Sequence, residues 1–188
     1  VNAARTGLTE TAARAEGYDV ITALTVAGDK AHYYPGADTF LLKLTADRAS
    51  RKLLGVQALG PGAVDKVADI AVTAISLGAT LDQLAVLDFA YAPPFSTAIH
   101  PFAHAVNVLL NKLEGAMDSL TPAEYAAGAA EDYRIIDCSQ APTLEGRQYL
   151  DFTSIQGPVD GLEKDEKLLL VCTKGRRAYL TQNRLMHY

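Results

Sequence analysis

Two consecutive prolines, Pro93 and Pro94, lie in the stretch Asp88-Phe-Ala-Tyr-Ala-Pro-Pro-Phe-Ser96. They limit what this part of the chain can become. Each proline fixes its φ and lacks a backbone donor, and the residue before each is pushed out of the helical region. Neither a helix interior nor a central strand accommodates the pair, so the stretch reads as a stiff, extended corner between two helical patterns. Tyr91 and Phe95 flank the prolines with large apolar area, and the tyrosine adds one polar handle. Such a corner either packs into the core as a turn or holds a phenol at a fixed place.

The residues before the corner predict a sheet and its covering helices. Thr9 to Glu16 is a short alanine-rich helix, with Thr9 as its N-cap and Gly17 just past its end. Tyr18 to Val26 is rich in β-branched residues and reads as a strand. A second proline-glycine corner follows, His32-Tyr-Tyr-Pro-Gly36, with Tyr33 and Tyr34 packed before it. Thr39 to Thr45 places Phe40, Leu42 and Leu44 on one face, and Lys52 to Leu59 returns beside it. Three short strands with tight links predict an antiparallel meander. Val64, Val67, Ile70, Ala71, Ala74 and Ile75 then recur at helical spacing up to Gly78. Thr80 caps a second short helix, and Pro101 to Leu113 is helical after the corner. The expected fold is α+β, an antiparallel sheet with helices on one face.

Glu114 to Pro122 marks a change of composition, so the expected units are 1–115 and 116–188. In the second, Thr121 caps a helix that begins at Pro122. Tyr133 to Cys138 reads as a strand, Tyr149 to Thr153 as another, and Gly157 to Asp165 as a turn plus a helical stub. Lys167 to Val171 has the length of a buried parallel strand and delivers Cys172. The loop Cys172-Thr-Lys-Gly-Arg-Arg177 then leads into a helical pattern. A strand-to-helix loop of this kind turns backbone N–H groups towards the sulfur, and the helix start favours an anion. Lys174, Arg176 and Arg177 add positive charge, and the thiolate is the nucleophilic form of cysteine. The bland alternative is a buried cysteine at a strand end, which is how Cys138 reads, with a resolving cysteine as its minor alternative.

Net charge is −5 without long runs, which argues against a nucleic-acid partner. No apolar stretch has the length of a membrane span, so no membrane partner is expected. Two cysteines make no disulfide framework, and a reducing cytoplasm is the expected compartment. His100 and His104 sit four apart without a third ligand, so no metal is expected. No Gly-x-Gly-x-x-Gly occurs, so this chain is not expected to bind FAD or NAD(P)H by itself. The chain lacks a starting methionine and reads as part of something longer.

The strings Thr6-Gly-Leu-Thr-Glu10, Tyr33-Tyr-Pro-Gly36, Leu54-Gly-Val-Gln57, Val64-Asp-Lys66 and Ala90-Tyr-Ala-Pro-Pro-Phe-Ser96 occur in one order over residues 1–113. Together they resemble the dimerisation domain of the flavin-dependent pyridine nucleotide-disulfide oxidoreductases, in the CoA-disulfide reductase and NADH oxidase branch. The resemblance implies a homodimer in which this domain completes the partner's active site. FAD, NAD(P)H and CoA would belong to the parent enzyme, on nucleotide-binding domains upstream. It implies that Tyr91 and either Tyr33 or Tyr34, with Tyr33 favoured by spacing, point at the partner's redox cysteine. Pro93, Pro94 and Phe95 would lie on the interface or flavin side. His100 stands where relatives often carry an acidic residue.

Ile135-Ile-Asp-Cys138, Leu169-Leu-Val-Cys172, Gly175 and Arg177 resemble a rhodanese-type sulfurtransferase domain. That resemblance implies an α/β fold and a persulfide on Cys172, held by the loop Thr173, Lys174, Gly175, Arg176 and Arg177. Related phosphatase loops carry their arginine one place later, where this chain has Ala178. Ser139 stands where most rhodaneses have an arginine, and the chain stops at Tyr188, so the domain is expected to be shortened. The leading expectation is the C-terminal portion of a CoA-disulfide, persulfide or polysulfide reductase. The alternatives are a non-catalytic dimerisation and docking module with a degenerate rhodanese fold, and a free-standing sulfurtransferase with its own dimer domain.

Overall fold

Phe40, Leu42 and Leu44 alternate along one strand, and all three are buried, as period-two patterning requires. The structure, a computed structural model, describes residues 2–188 and divides into two units, one ending at Gly115 and the other starting at Ala116. The first unit runs β1 (Asn2–Gly7), α1 (Glu10–Ala15), β2 (Val20–Gly28), β3 (Thr39–Asp47), β4 (Leu53–Gly60), α2 (Val64–Ser76), α3 (Leu81–Ala85) and α4 (Pro101–Leu113). Its sheet has the order β1-β4-β3-β2, antiparallel throughout.

This sheet has four strands where three were expected. The fourth, β1, is mostly alanine, arginine and threonine, without a clear alternation. It is a strand because it pairs with β4 from Asn2 opposite Gly60 to Gly7 opposite Gly55, a long-range relationship that local propensity does not carry. Where the chain leaves β1 the backbones come very close. Gly7 has φ +68°, and a Cβ on Gly55 would lie 1.9 Å from the Leu8 carbonyl oxygen.

Register places Leu44 between Ala23 and Val56, and Leu42 opposite Ala58, on the buried face. α2 covers β1 and β4, and α4 covers β2 and β3. Val67, Ala71, Phe102, Val106 and Leu109 from these helices complete the core. Each fully buried leucine or phenylalanine side chain here contributes about 1.5–3 kcal/mol relative to exposure. On the opposite, mixed face α1 packs against β2, and its Glu10 pairs with Lys43 of β3. Leu24, Leu41 and Leu59 are exposed on this face and line a shallow concavity of about 430 Å³ with Arg5 and Lys43.

Local chemistry starts the helices where expected. The Thr9 hydroxyl accepts from the Ala12 N–H. Thr80 and Gln83 form a capping box on α3, and His100 Nδ1 caps α4 ahead of Pro101.

The second unit runs α5 (Pro122–Ala126), β5 (Arg134–Asp137), β6 (Gln148–Tyr149), a 3₁₀ turn (Phe152–Ser154), β7 (Leu168–Val171) and α6 (Arg176–Leu185). Its sheet is parallel, in the order β6-β5-β7. The expected strand Tyr149 to Thr153 is cut short, because the Asp151 side chain accepts from the Thr153 N–H and turns the chain. No helix forms in 157–165. Only turns appear there, for example Leu162 N–H to Val159 carbonyl. The stretch Gly157-Pro-Val-Asp-Gly161 breaks up a helical run with two glycines and a proline.

Candidate functional site

The two proline corners of the first unit are tied to each other. The Ala31 N–H donates to the Pro93 carbonyl at 3.2 Å, so the loop before Pro35 is held against the loop around Pro94. The first corner is closed on itself by Asp29, whose backbone N–H reaches the Asp38 carbonyl and whose carboxylate accepts the Asp38 N–H, both at 2.9 Å. In the second corner, Phe95 and Ser96 N–H groups both return to the Ala92 carbonyl. Phe89 anchors its start by stacking on the His100 ring, with centroids 4.5 Å apart. His100 is buried, and its Nδ1 accepts the Phe102 N–H at 3.2 Å. Burial, helped by the positive charge of Lys66, holds this imidazole down to about 4.

These ties bring Tyr33 and Tyr91 together. The neighbouring Tyr33 hydroxyl, with some loss of solvation, raises the Tyr91 phenol above its ordinary range. Both rings remain open to solvent, Tyr33 at 67% and Tyr91 at 48%. Phe95 beside them is 74% exposed, and Tyr34 is exposed as well. Tyr33 also meets the His32 ring edge-on at 5.4 Å. Pro93 and Pro94 are half-buried and act as the frame. The result is a rigid, exposed aromatic corner bearing two neighbouring hydroxyls.

The second unit presents a cysteine loop. β7 ends at Val171, Cys172 follows half-buried, and Thr173 to Arg176 are exposed. Gly175 stands at φ +81°, a conformation that favours glycine, and starts α6 there. The loop consequently curls back on the sulfur: the Ala178 N–H donates to Cys172 Sγ at 3.4 Å. An N–H donor and a helix start both stabilise negative charge at that point.

Arg177 is placed differently from its cationic neighbours. Its Nε donates to the Cys138 carbonyl at 3.0 Å, and its Nη2 lies 3.0 Å from Asp151 Oδ1, an ion-pair contact whose angle falls short of a hydrogen bond. The guanidinium also lies 4.8 Å from the centre of the Phe152 ring, which Arg184 approaches too. Arg177 thus fastens the loop to β5 and the 3₁₀ turn, while Lys174 and Arg176 remain exposed.

β5 ends in Asp137, whose carboxylate organises the next loop. It accepts from the backbone N–H groups of Ser139, Thr143 and Leu144 and from the Thr143 hydroxyl. Burial works against ionisation, yet these donors prevail and hold the carboxyl far below the usual range. Cys138 is fully buried, and burial pushes its thiol up. Asp137, Asp151, Phe152 and Thr181 were not anticipated as parts of this site. An aspartate at a strand end followed by Ser139 and Thr143 is a signal for the first. Nothing local marks Asp151 and Phe152, which meet Arg177 only through the fold.

Residues 1–103 match the family described as pyridine nucleotide-disulphide oxidoreductase, dimerisation domain. The chain belongs to this family. Within it, the chain is 43% identical over 105 residues to the NAD(P)H sulfur oxidoreductase (CoA-dependent) of Pyrococcus furiosus, a match covering 56% of this chain and 24% of that protein. Among solved structures it is similar to the NAD-dependent persulfide reductase of A. fulgidus, with 34% identity and a TM-score of 0.87. It is also similar to reduced Bacillus anthracis CoADR-RHD, with 27% identity and a TM-score of 0.89. Each of these matches covers 98% of this chain and 34% of the other, so this dimerisation-domain chain spans about a third of their length. The resemblance carried by the motif strings stands, as does the fold class: an antiparallel α+β unit followed by an α/β rhodanese-like one.

Proposed function

We propose that this chain is the C-terminal portion of a flavoprotein that reduces CoA disulfide, persulfide or polysulfide. The observation that carries the reading is the exposed pair Tyr33 and Tyr91, brought together by the tied proline corners of a dimerisation-domain chain. In a homodimer the corner reaches into the partner's redox site, where a phenol donates to a thiolate or to a mixed disulfide. Bonds to charged acceptors are the stronger kind. Tyr34 and Phe95 border that contact, and Pro93 and Pro94 keep its geometry.

Cys172 is the sulfur carrier of the second unit in this reading. Its thiolate attacks the outer sulfur of a sulfane donor such as thiosulfate, the donor's S–S bond breaks with sulfite leaving, and Cys172 keeps that sulfur as a persulfide. The Ala178 N–H and the start of α6 stabilise the anion, and exposed Lys174 and Arg176 attract anionic donors. Thr173 and Gly175 shape the loop, and Arg177 positions it through Cys138 and Asp151. This chain's residues do not fit a dinucleotide: β5 runs into Ser139-Gln140 rather than a glycine-rich turn. FAD and NAD(P)H therefore belong to other domains, and no step here is routed through them.

Thiosulfate or polysulfide with cyanide tests the carrier. The chain should form thiocyanate, and Cys172→Ser should not. Equal yields would remove Cys172 from the chemistry and leave a docking module. In the full-length enzyme, Tyr91→Phe should slow NAD(P)H-dependent disulfide reduction by about 10–100-fold, the worth of one hydrogen bond to a charged group. An unchanged rate would sink the role of the corner.

A further inference from the structure

Cys138 and Cys172 lie at corresponding ends of two neighbouring parallel strands. β5 and β7 pair in register from Arg134 opposite Leu168 to Asp137 opposite Val171, so the two cysteines are the next pair along. The ladder extends to them, because the Cys138 N–H donates to the Val171 carbonyl at 2.7 Å. Neighbouring strands run about 4.8 Å apart, and a disulfide spans Cα separations of about 4.4–6.8 Å. Both cysteines are also tied to α6. Cys172 Sγ accepts from the Ala178 N–H, and the Cys138 carbonyl accepts from Arg177 Nε. Cys172 packs directly against the buried cluster that holds Cys138.

We infer that the two cysteines form a resolving pair, in which Cys138 attacks a persulfide on Cys172 and discharges its outer sulfur as sulfide. The inference rests on the reading of Cys172 as a sulfur carrier and adds to it an outlet. Access divides the roles: Cys172 is half-exposed and meets the donor, whereas Cys138 is fully buried and meets only Cys172. The Cys138 sulfur attacks Cys172 Sγ, and its proton passes to the departing outer sulfur. A Cys138–Cys172 bond forms as the bond from Cys172 Sγ to the outer sulfur breaks. That sulfur leaves as HS⁻ with the electron pair. The sulfane sulfur is reduced by two electrons, and the two cysteine sulfurs are oxidised to a disulfide. A thiol reductant then restores both thiols by disulfide exchange. Burial keeps the Cys138 thiol protonated and its attack slow, so transfer to an external acceptor has time to occur first.

The test uses the whole chain, reduced, desalted and treated with thiosulfate or, in a parallel arm, with sodium tetrasulfide. Non-reducing peptide mass mapping follows Cys172, and in the thiosulfate arm sulfide and sulfite are measured as well. Wild type should lose the added sulfur and yield a Cys138–Cys172 linked peptide, with one sulfide and one sulfite per chain in the thiosulfate arm. Cys138→Ala should keep one added sulfur on Cys172 and release no sulfide. Cys172→Ser should do neither. A persistent added sulfur on wild-type Cys172, with no linked peptide, would overturn the resolving pair while leaving the carrier reading intact. Failure of both wild type and Cys138→Ala to take up sulfur from either donor overturns both. The linked peptide is read in the wild-type chain, so the result stands even if the buried alanine variant does not fold.

Discussion

Tyr33 and Tyr91 come from two separate proline corners and sit close enough on the protein surface for Tyr33 to raise the Tyr91 phenol. This proximity follows from the tie between the Ala31 N–H of one corner and the Pro93 carbonyl of the other. Its consequence is measurable without any partner. With the tyrosines labelled for NMR, one phenol should titrate above the ordinary value, and Tyr33→Phe should return Tyr91 towards it. Thermal stability should change little, within about 0.5 kcal/mol, since both rings are largely exposed. An unmoved Tyr91 titration in that variant would mean that the hydroxyls do not interact.

Gly55 is the tightest point of the first sheet. A methyl group there would sit 1.9 Å from the Leu8 carbonyl oxygen, a backbone atom that cannot swing aside. Gly55→Ala should therefore cost about 3 kcal/mol or more, by forcing β1 away from β4. Denaturant unfolding checks this, and a loss below about 1 kcal/mol would show that β1 is not docked this closely.

Asp137 should be the most damaging polar position of the second unit. Asp137→Asn weakens a buried acceptor that serves three backbone N–H groups, and a loss of about 2–4 kcal/mol is expected. The carboxyl is depressed in the folded state, so its contribution is complete above its unfolded value near 4. It fades as pH falls further. Unfolding curves of wild type and the asparagine variant should converge in strong acid.

His100 carries a dependence of the same sign, set at higher pH. Its folded value is about 4, below the usual histidine range near 6.5. Between those values the unfolded chain takes up a proton that the folded chain refuses, so stability falls as pH drops from about 6.5 to about 4. The loss is at most about 3 kcal/mol, smaller with solvent screening. Asparagine also caps helices well, so His100→Asn should keep α4 and flatten this part of the pH profile. A wild-type profile that is flat between pH 7 and pH 5 would contradict the buried neutral imidazole.

Elements whose cause is local were readable before any coordinates. Pro101 to Leu113 came out with the expected bounds, since a proline at the first position and a regular apolar stripe leave little choice. The Thr9, Thr80 and Thr121 caps held for the same reason, each reaching only a few residues ahead. β1 was missed because its identity as a strand comes from β4, far along the chain. The stub expected in 157–165 failed where glycine and proline outweighed a weak pattern.

The sequence by itself determined which residues are candidates for chemistry: phenols beside paired prolines, and a thiol at a strand end followed by glycine and cations. It also determined the alternations and caps, because these depend on neighbours within one or two turns. Only the tertiary structure decided who meets whom. Arg177 turns to the Cys138 carbonyl and Asp151, Tyr33 rather than Tyr34 meets Tyr91, and parallel register sets Cys138 beside Cys172. Such pairings depend on strand order and register, which the whole core fixes together as it packs, and no single segment contains them.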